Sequence, residues 1–149
     1  MTSIFHDPVF QAYTLAVAAV VVTLYALGFI TALRRAKRKI VINAEDASIN
    51  GGATVADVEH PDVARAKRAH QNLIEAALPF LTVGFLYTMT APGLTMARVL
   101  FATFVVARAL HAVTYLGAKQ PLRTMSFGIG TVVNVIMLVQ ILRTVVPLL

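Results

Sequence analysis

The stretch RAKRAHQNLIEAALPFL, residues Arg65–Leu81, changes within one helical length from basic to almost wholly apolar. At about 100° per residue, Arg68, Asn72 and Glu75 fall within roughly 60° of one another and form one polar stripe. Ionisable side chains inside a membrane span cost at least a few kcal/mol, so they normally face a bundle interior and find a partner. A structural ion pair and a ligand site explain the position of Glu75 equally well.

The whole chain has the composition of an integral membrane protein. Of its 149 residues, 58% are hydrophobic and 13% are charged, and the mean hydropathy is +0.74. Soluble domains carry roughly a quarter charged residues. No charged side chain occurs between Pro8 and Leu33, and a spanning helix needs about 20 predominantly apolar residues. We therefore expect an uncleaved first helix that crosses the membrane.

Apolar segments of spanning length recur along the chain and predict an all-α membrane protein. Short turns join the later segments, which favours a four-helix antiparallel bundle forming one domain over residues 1–149. A long polar connection follows the first segment. The predicted helices cover residues 10–33, 62–90, 95–116 and 122–147, and the predicted cytoplasmic loop covers residues 34–61.

The net charge of +6 follows the positive-inside pattern. Lys and Arg cluster after the first apolar run, before the second, and between the third and fourth, as they do in cytoplasmic loops. Both termini are then expected on the opposite side of a bacterial inner membrane or an endoplasmic reticulum membrane. The basic clusters lack the interleaved aromatic residues that stack on bases, so we expect no nucleic-acid partner.

Neither a thiol nor a metal site is expected from the sequence. The chain contains no cysteine, which excludes disulfides and a protein-borne thiolate. Any sulfur chemistry would therefore use a thiol supplied by a ligand. His70 and His111 each lack a second histidine or carboxylate at metal-ligand spacing, so we predict no metal.

The third predicted helix carries a second polar stripe. Arg108, His111 and Tyr115 stand at positions i, i+3 and i+7 and can reach one face. Arg108 lies in the middle of the segment, where its side chain cannot easily reach either interface. Glu75 is the expected partner of Arg108.

The start of the fourth helix favours an anion. Arg123 and Thr124 lie at its cytoplasmic entry, where a guanidinium, a hydroxyl and unpaired backbone amides meet. An ordinary interfacial anchor is the alternative. The stripes and this helix start together predict a cationic pocket for a small peptide-like anion, whose amine Glu75 would bind. The residues expected to rim this pocket are Arg35, Arg68, Asn72, Glu75, Arg108, Tyr115 and Arg123.

Several segments resemble the MAPEG family, membrane-associated proteins of eicosanoid and glutathione metabolism. They are RAHQNLIEAALPFLTVGFLY, RALHAVTYLG and PLRT, with EDA and GG upstream. The resemblance covers nearly the whole chain from the end of the first helix and is nearest to the prostaglandin E synthase and glutathione transferase branches. It implies a homotrimer in the lipid bilayer, with glutathione bound between neighbouring subunits near the cytoplasmic side.

The resemblance also implies site residues. Arg123 is similar to the family's catalytic arginine, and Thr124 stands beside it. The implied glutathione contacts are Arg35, Arg68, His70, Asn72, Glu75, Arg108, Tyr115 and Phe127, in addition to Arg123 and Thr124. The family often has Glu where this chain has Ala64, and an Arg that is common in the prostaglandin synthase branch stands here as Gln71. Thr124 and Phe127 replace a Ser and a Tyr of the prostaglandin synthase branch but keep a hydroxyl and a stacking face.

The activity implied is that of a glutathione-dependent transferase, peroxidase or isomerase acting on a lipophilic electrophile from the bilayer. Arg123 would lower the pKa of the glutathione thiol, and Thr124 would donate a hydrogen bond to the sulfur. One alternative is a non-catalytic lipid-binding scaffold of the same fold, which would not need Arg123. A small multidrug exporter is a further alternative, but it would carry a glutamate in the first span, where this chain has none.

Overall fold

Four long helices make up most of the molecule, as the sequence predicted. The computed structural model describes residues 4–149, so residues 1–3 of the predicted domain lie outside the described residues. Each long helix is long and apolar enough to cross a membrane, which agrees with an integral multi-pass membrane protein. The helices are α1 (Pro8–Arg38), α3 (Pro61–Met89), α4 (Leu94–Leu116) and α5 (Leu122–Val145).

The ends of α1 show why it is longer than the predicted range 10–33. Asp7 caps its start, because one carboxylate oxygen accepts hydrogen bonds of 2.8 Å from the backbone amides of Val9 and Phe10. The helix continues to Arg38 and ends where Lys39 adopts a left-handed φ of 50°. Basic residues in a last helical turn interact favourably with the helix dipole, so this basic cluster extends the helix.

The connection predicted as a loop over residues 34–61 contains regular structure. Strands β1 (Ile40–Val41) and β2 (Thr54–Val55) pair in parallel, and the short helix α2 (Ala44–Ile49) lies between them. Gly51 and Gly52 adopt positive φ angles of 62° and 72°, which glycine tolerates without a Cβ penalty. They turn the chain from α2 back towards β2.

An aromatic core joins the helices in the half of the bundle farthest from the basic connections. Phe80 of α3 stacks on Phe104 of α4 at a centroid distance of 3.9 Å. Tyr13 of α1 donates a hydrogen bond of 2.8 Å to the Leu81 carbonyl oxygen. It packs against Gly84, where an added Cβ would lie 2.9 Å from the Tyr13 ring. This close packing fixes α1, α3 and α4 relative to one another.

The outer faces of the helices remain apolar and exposed. On α1 the exposed large side chains include Leu15, Val22, Tyr25 and Phe29. A soluble monomer rarely exposes so continuous an apolar surface. In a membrane protein such a face contacts lipid or another subunit.

Candidate functional site

A row of aromatic and cationic side chains lines the facing sides of α4 and α5. Arg123 Cζ lies 4.8 Å from the Tyr115 ring centroid, and Tyr115 lies 5.6 Å from the His111 ring. His111 in turn lies 5.8 Å from Phe127, whose ring centroid is 5.2 Å from Arg108 Cζ. The helical spacing of these residues places them on one face of each helix. One protomer therefore brings together Arg108, Tyr115, Arg123 and Phe127, all predicted as site residues.

Arg108 is enclosed at the deep end of this row. It is only 2% exposed, and its guanidinium lies between Phe127 and Phe104, the latter centroid at 5.4 Å. Nη2 donates a hydrogen bond of 2.6 Å to the Phe127 carbonyl oxygen, while Nε and Nη1 have no hydrogen-bond partner among residues 4–149. Gly130 makes room for the group, since an added Cβ would lie 2.7 Å from Arg108 Cζ. Gly130 was not predicted as a site residue, although a glycine inside an apolar helix signals close packing.

Glu75 does not pair with Arg108 within a protomer, and this prediction was wrong. Among residues 4–149 no ion pair joins them. The exposed Glu75 carboxylate accepts a hydrogen bond of 3.2 Å from Gln71 on its own helix, whereas Arg108 turns to the Phe127 carbonyl. Both residues line one groove of about 270 Å³ between α3 and α5. Asn134 also lines this groove, and its buried Oδ1 has no hydrogen-bond partner in the described part of the chain.

Arg123 and Thr124 meet at the first turn of α5, as predicted from the sequence. The Gln120 side chain lies between them and was not predicted from the sequence as a site residue. Its amide oxygen accepts from Arg123 Nε at 3.2 Å and Nη2 at 2.6 Å, and its nitrogen donates to Thr124 Oγ1 at 3.0 Å. No side chain caps the start of α5, which follows Pro121. The unpaired amides of a helix N-terminus add positive potential beside the guanidinium.

Arg35 lies apart from this row and has a carboxylate partner. Its guanidinium forms an ion pair with Glu59, whose side chain is only 8% exposed and also lies 3.5 Å from Lys67 Nζ. Burial alone would raise the pKa of the Glu59 carboxyl, but the Arg35 hydrogen bond and the Lys67 charge outweigh it and lower the pKa. The cluster ties the connection after α1 to the start of α3.

The remaining predicted site residues on α3 contact their own helix or α1. Arg68 is exposed, and the Asn72 amide donates a hydrogen bond of 2.7 Å to the Arg68 carbonyl oxygen of the same helix. His70 packs beside α1, where a Cβ added to Gly28 would lie 3.9 Å from its Cε1 atom. Among residues 4–149, no ion pair joins these side chains to the row of α4 and α5.

The electrostatics of the site favour an anionic ligand. In the part of the chain that the structure describes, the ion-paired carboxylates engage Arg35, Arg38, His60 and Lys67. Arg68, Arg108 and Arg123 thus have no carboxylate partner there. No group of three or more metal-ligating side chains occurs among the described residues. Unpaired guanidinium groups bind carboxylates and other anions by charge-assisted hydrogen bonds.

Comparison with known proteins gives consistent similarities over nearly the full length. The model of the MAPEG family matches residues 13–143. The chain is 34% identical over 140 residues to prostaglandin E synthase of Homo sapiens, covering 93% of this chain and 91% of that protein. It is 36% identical over 113 residues to prostaglandin E synthase of Mus musculus, covering 76% and 73%. Similarity to microsomal glutathione S-transferase 1 of Homo sapiens is 32% over 148 residues, covering 97% and 96%.

Proposed function

Because this chain belongs to the MAPEG family, we propose that it is a membrane enzyme that activates glutathione as a thiolate. The thiolate attacks a lipophilic electrophile that arrives from the bilayer. The reaction is a conjugation, a peroxide reduction or a thiol-assisted isomerisation. The names of the relatives, a glutathione S-transferase and prostaglandin E synthases, support this range of reactions.

The position of the Arg123 guanidinium is the main support for this proposal. The guanidinium lies against Tyr115 at the start of α5, partly exposed and without a carboxylate partner in residues 4–149. A thiol with an ordinary pKa near 8.5 is largely protonated at neutral pH, and the thiolate is the nucleophile. A guanidinium nearby lowers the thiol pKa by favouring the charged form. A hydrogen bond from Thr124 to the sulfur acts in the same direction.

The groove between α3 and α5 suits the charged ends of glutathione. Glu75, which is exposed in the groove, would receive the amine. Arg108 lines the same groove, but its Nε and Nη1 are buried, so its positive charge would favour a carboxylate there without a direct hydrogen bond. The other implied contacts have different partners within one protomer. We propose that they belong to a site shared between subunits of a homotrimer. These contacts are Arg35, Arg68, His70 and Asn72.

The surroundings of Arg123 also suit a lipophilic second substrate. Met125, Phe127 and Ile129 follow it on α5 and remain exposed, so an apolar molecule in the bilayer can approach the same helix laterally. Glutathione, being water-soluble, would enter from the basic side of the bundle. We place that side in the cytoplasm on the positive-inside pattern.

Ligand stabilisation followed by turnover tests the proposal. The protein in detergent is heated with and without millimolar glutathione, and turnover is then measured with a chlorinated dinitrobenzene and with a lipid hydroperoxide. We expect glutathione to raise the melting temperature, because a ligand that binds only the folded state stabilises it. S-methylglutathione should stabilise the protein without supporting turnover, since it cannot form a thiolate. Absence of stabilisation by glutathione would refute this function and favour a non-catalytic scaffold.

A further inference from the structure

The Gln120 side chain contacts both Arg123 and Thr124 by hydrogen bonds. Its amide group has an oxygen that only accepts and a nitrogen that only donates. The Arg123 guanidinium carries donors alone, so the Gln120 oxygen must face it, at 2.6 Å from Nη2 and 3.2 Å from Nε. The amide nitrogen then faces Thr124 Oγ1 at 3.0 Å. The opposite orientation would set donor against donor at the guanidinium.

This arrangement fixes the direction of the Thr124 hydroxyl. Because the Gln120 nitrogen donates, the Thr124 oxygen accepts, and the hydroxyl proton stays available for another acceptor. Arg123 is held on two sides, by Gln120 and by the Tyr115 ring at 4.8 Å. Part of its donor set remains unused. The Thr124 hydroxyl and the remaining N–H groups of Arg123 are all hydrogen-bond donors, and a sulfur anion needs donors.

The turn that carries Gln120 is well defined by the backbone. Gly117, Ala118 and Lys119 donate hydrogen bonds of 3.0, 3.2 and 2.9 Å to carbonyl oxygens of α4. Arg123 donates a further bond of 3.2 Å to the Lys119 carbonyl oxygen. The Gln120 side chain is therefore not needed to close the turn, and it does not cap α5. Within residues 4–149, the Gln120 amide makes hydrogen bonds to Arg123 and Thr124 alone.

We propose that Gln120 is a positioning residue, which holds the Arg123 guanidinium over Tyr115 and leaves the Thr124 hydroxyl proton free for the glutathione sulfur. The second half of this statement rests on the proposed function. The first half concerns the protein alone. Two substitutions separate the halves: Gln120→Met removes both polar contacts, whereas Gln120→Glu keeps an acceptor for Arg123 but offers Thr124 no donor.

The first measurement reports on Arg123 without any ligand. The full chain, labelled with ¹⁵N-arginine in lipid nanodiscs, gives an Arg123 Nε signal that is assigned by its loss in Arg123→Lys. We expect this signal to report a mobile Arg123 guanidinium in Gln120→Met and a restrained one in Gln120→Glu. Leu122→Met, an exposed neighbour, is the matched control and should resemble the wild type. An equally restrained signal in Gln120→Met would overturn the proposal that Gln120 holds Arg123.

The second measurement follows the ultraviolet absorbance of bound glutathione thiolate against pH. Loss of either donor disfavours the thiolate, so we expect the midpoint to rise by roughly half a unit to one unit in Gln120→Met and at least as much in Gln120→Glu. In Gln120→Glu the hydroxyl of Thr124 turns to the new carboxylate. Thr124→Val should therefore change the thiolate midpoint little when it is added to Gln120→Glu, although it should raise the midpoint when it is made in the wild type.

The outcomes separate the two proposals. If the shifts in thiolate midpoint caused by Gln120→Glu and Thr124→Val simply add in the double variant, the role of Gln120 in orienting Thr124 is refuted. A wild type whose bound glutathione forms no thiolate at any pH would refute the proposed function and, with it, the second half of the inference. The Arg123 signal still decides the first half in that case. Equal melting temperatures of the ligand-free variants exclude a general loss of folding as the cause.

Discussion

Arg108 and Arg123 both place a guanidinium against an aromatic ring, yet their surroundings differ in every other respect. Arg108 lies between two phenylalanine rings, is almost fully buried and bonds to a backbone carbonyl. Arg123 lies against one tyrosine ring, is partly exposed and bonds to a side-chain amide at a helix start. Helix packing determines the position of Arg108, whereas a turn and a single glutamine determine that of Arg123.

This contrast separates a role in the fold from a role in chemistry. A buried cation is costly unless it is paired or hydrogen-bonded. The Phe127 carbonyl and two aromatic rings supply such contacts to Arg108, and Gly130 leaves the space that the guanidinium occupies. A partly exposed cation costs the fold little and keeps donors for a ligand. Substitutions near Arg108 should therefore affect stability, and substitutions of Arg123 should affect turnover.

Arg123→Ala should have the largest effect of the changes considered. Turnover with a chlorinated dinitrobenzene should fall by about 10²-fold or more, the usual loss when a group that stabilises developing charge is removed. The melting temperature should stay close to that of the wild type. Affinity for glutathione should change only a few-fold, because other arginines bind the carboxylates. Arg143→Ala, an exposed arginine in the last turn of the same helix, is the control, and equal turnover in both variants would refute the role of Arg123.

Gly130→Ala tests whether the surroundings of Arg108 contribute to the stability of the fold. The added methyl would overlap the Arg108 guanidinium, and overpacking a tight site costs about 1–3 kcal/mol. Gly128→Ala is a matched control on the same helix, because nothing lies within 4 Å of its added Cβ. We expect the free energy of unfolding in a detergent titration to fall for Gly130→Ala alone, with turnover less affected than by Arg123→Ala. Equal stability of the two alanine variants would show that Arg108 moves aside at no cost.

Arg35 extends the comparison to a guanidinium whose partner is a buried carboxylate. Glu59 has a pKa below its ordinary value, so it stabilises the fold above the pKa of an unfolded glutamate, about 4.3, and this contribution is lost as the pH falls through the folded value. Glu59→Gln should lower stability at pH 7 by about 1–2 kcal/mol. The difference from the wild type should narrow only below about pH 4.3. Melting temperatures at both pH values test this, with Glu45→Gln, an exposed carboxylate without an ion pair in residues 4–149, as the control.

The features that the sequence predicted correctly depend on the periodicity of residues along a single helix. Spans of apolar residues gave four long helices, and the spacing of Arg108, His111 and Tyr115 placed them on one face, as the structure confirms. The start of α5 was predicted from Pro121 and the polar pair after it. These inferences need only the rise and rotation of a single helix.

Predictions between helices were less successful, for a physical reason. Whether Glu75 meets Arg108 depends on how α3 is rotated against α4 and α5, which spacing within each helix does not determine. Gly130 and Gln120 likewise gain their roles from a neighbour's guanidinium. The short parallel strands around α2 have too few residues for an alternating pattern to be recognised.

The smallest expected effect is the coupling energy between Glu75 and Arg108, which tests whether Arg108 has a carboxylate partner. They line the same groove, but the Glu75 carboxylate bonds to Gln71 and forms no ion pair with Arg108. The variants Glu75→Gln and Arg108→Met and their combination form a double-mutant cycle in the free energy of unfolding. Because the two charged groups have separate partners, we expect the coupling energy to be about 0.5 kcal/mol or less, as for independent sites. A coupling well above about 1 kcal/mol would mean that the two side chains meet in the assembled protein, and Arg108 would then join Arg35 as an arginine held by a carboxylate.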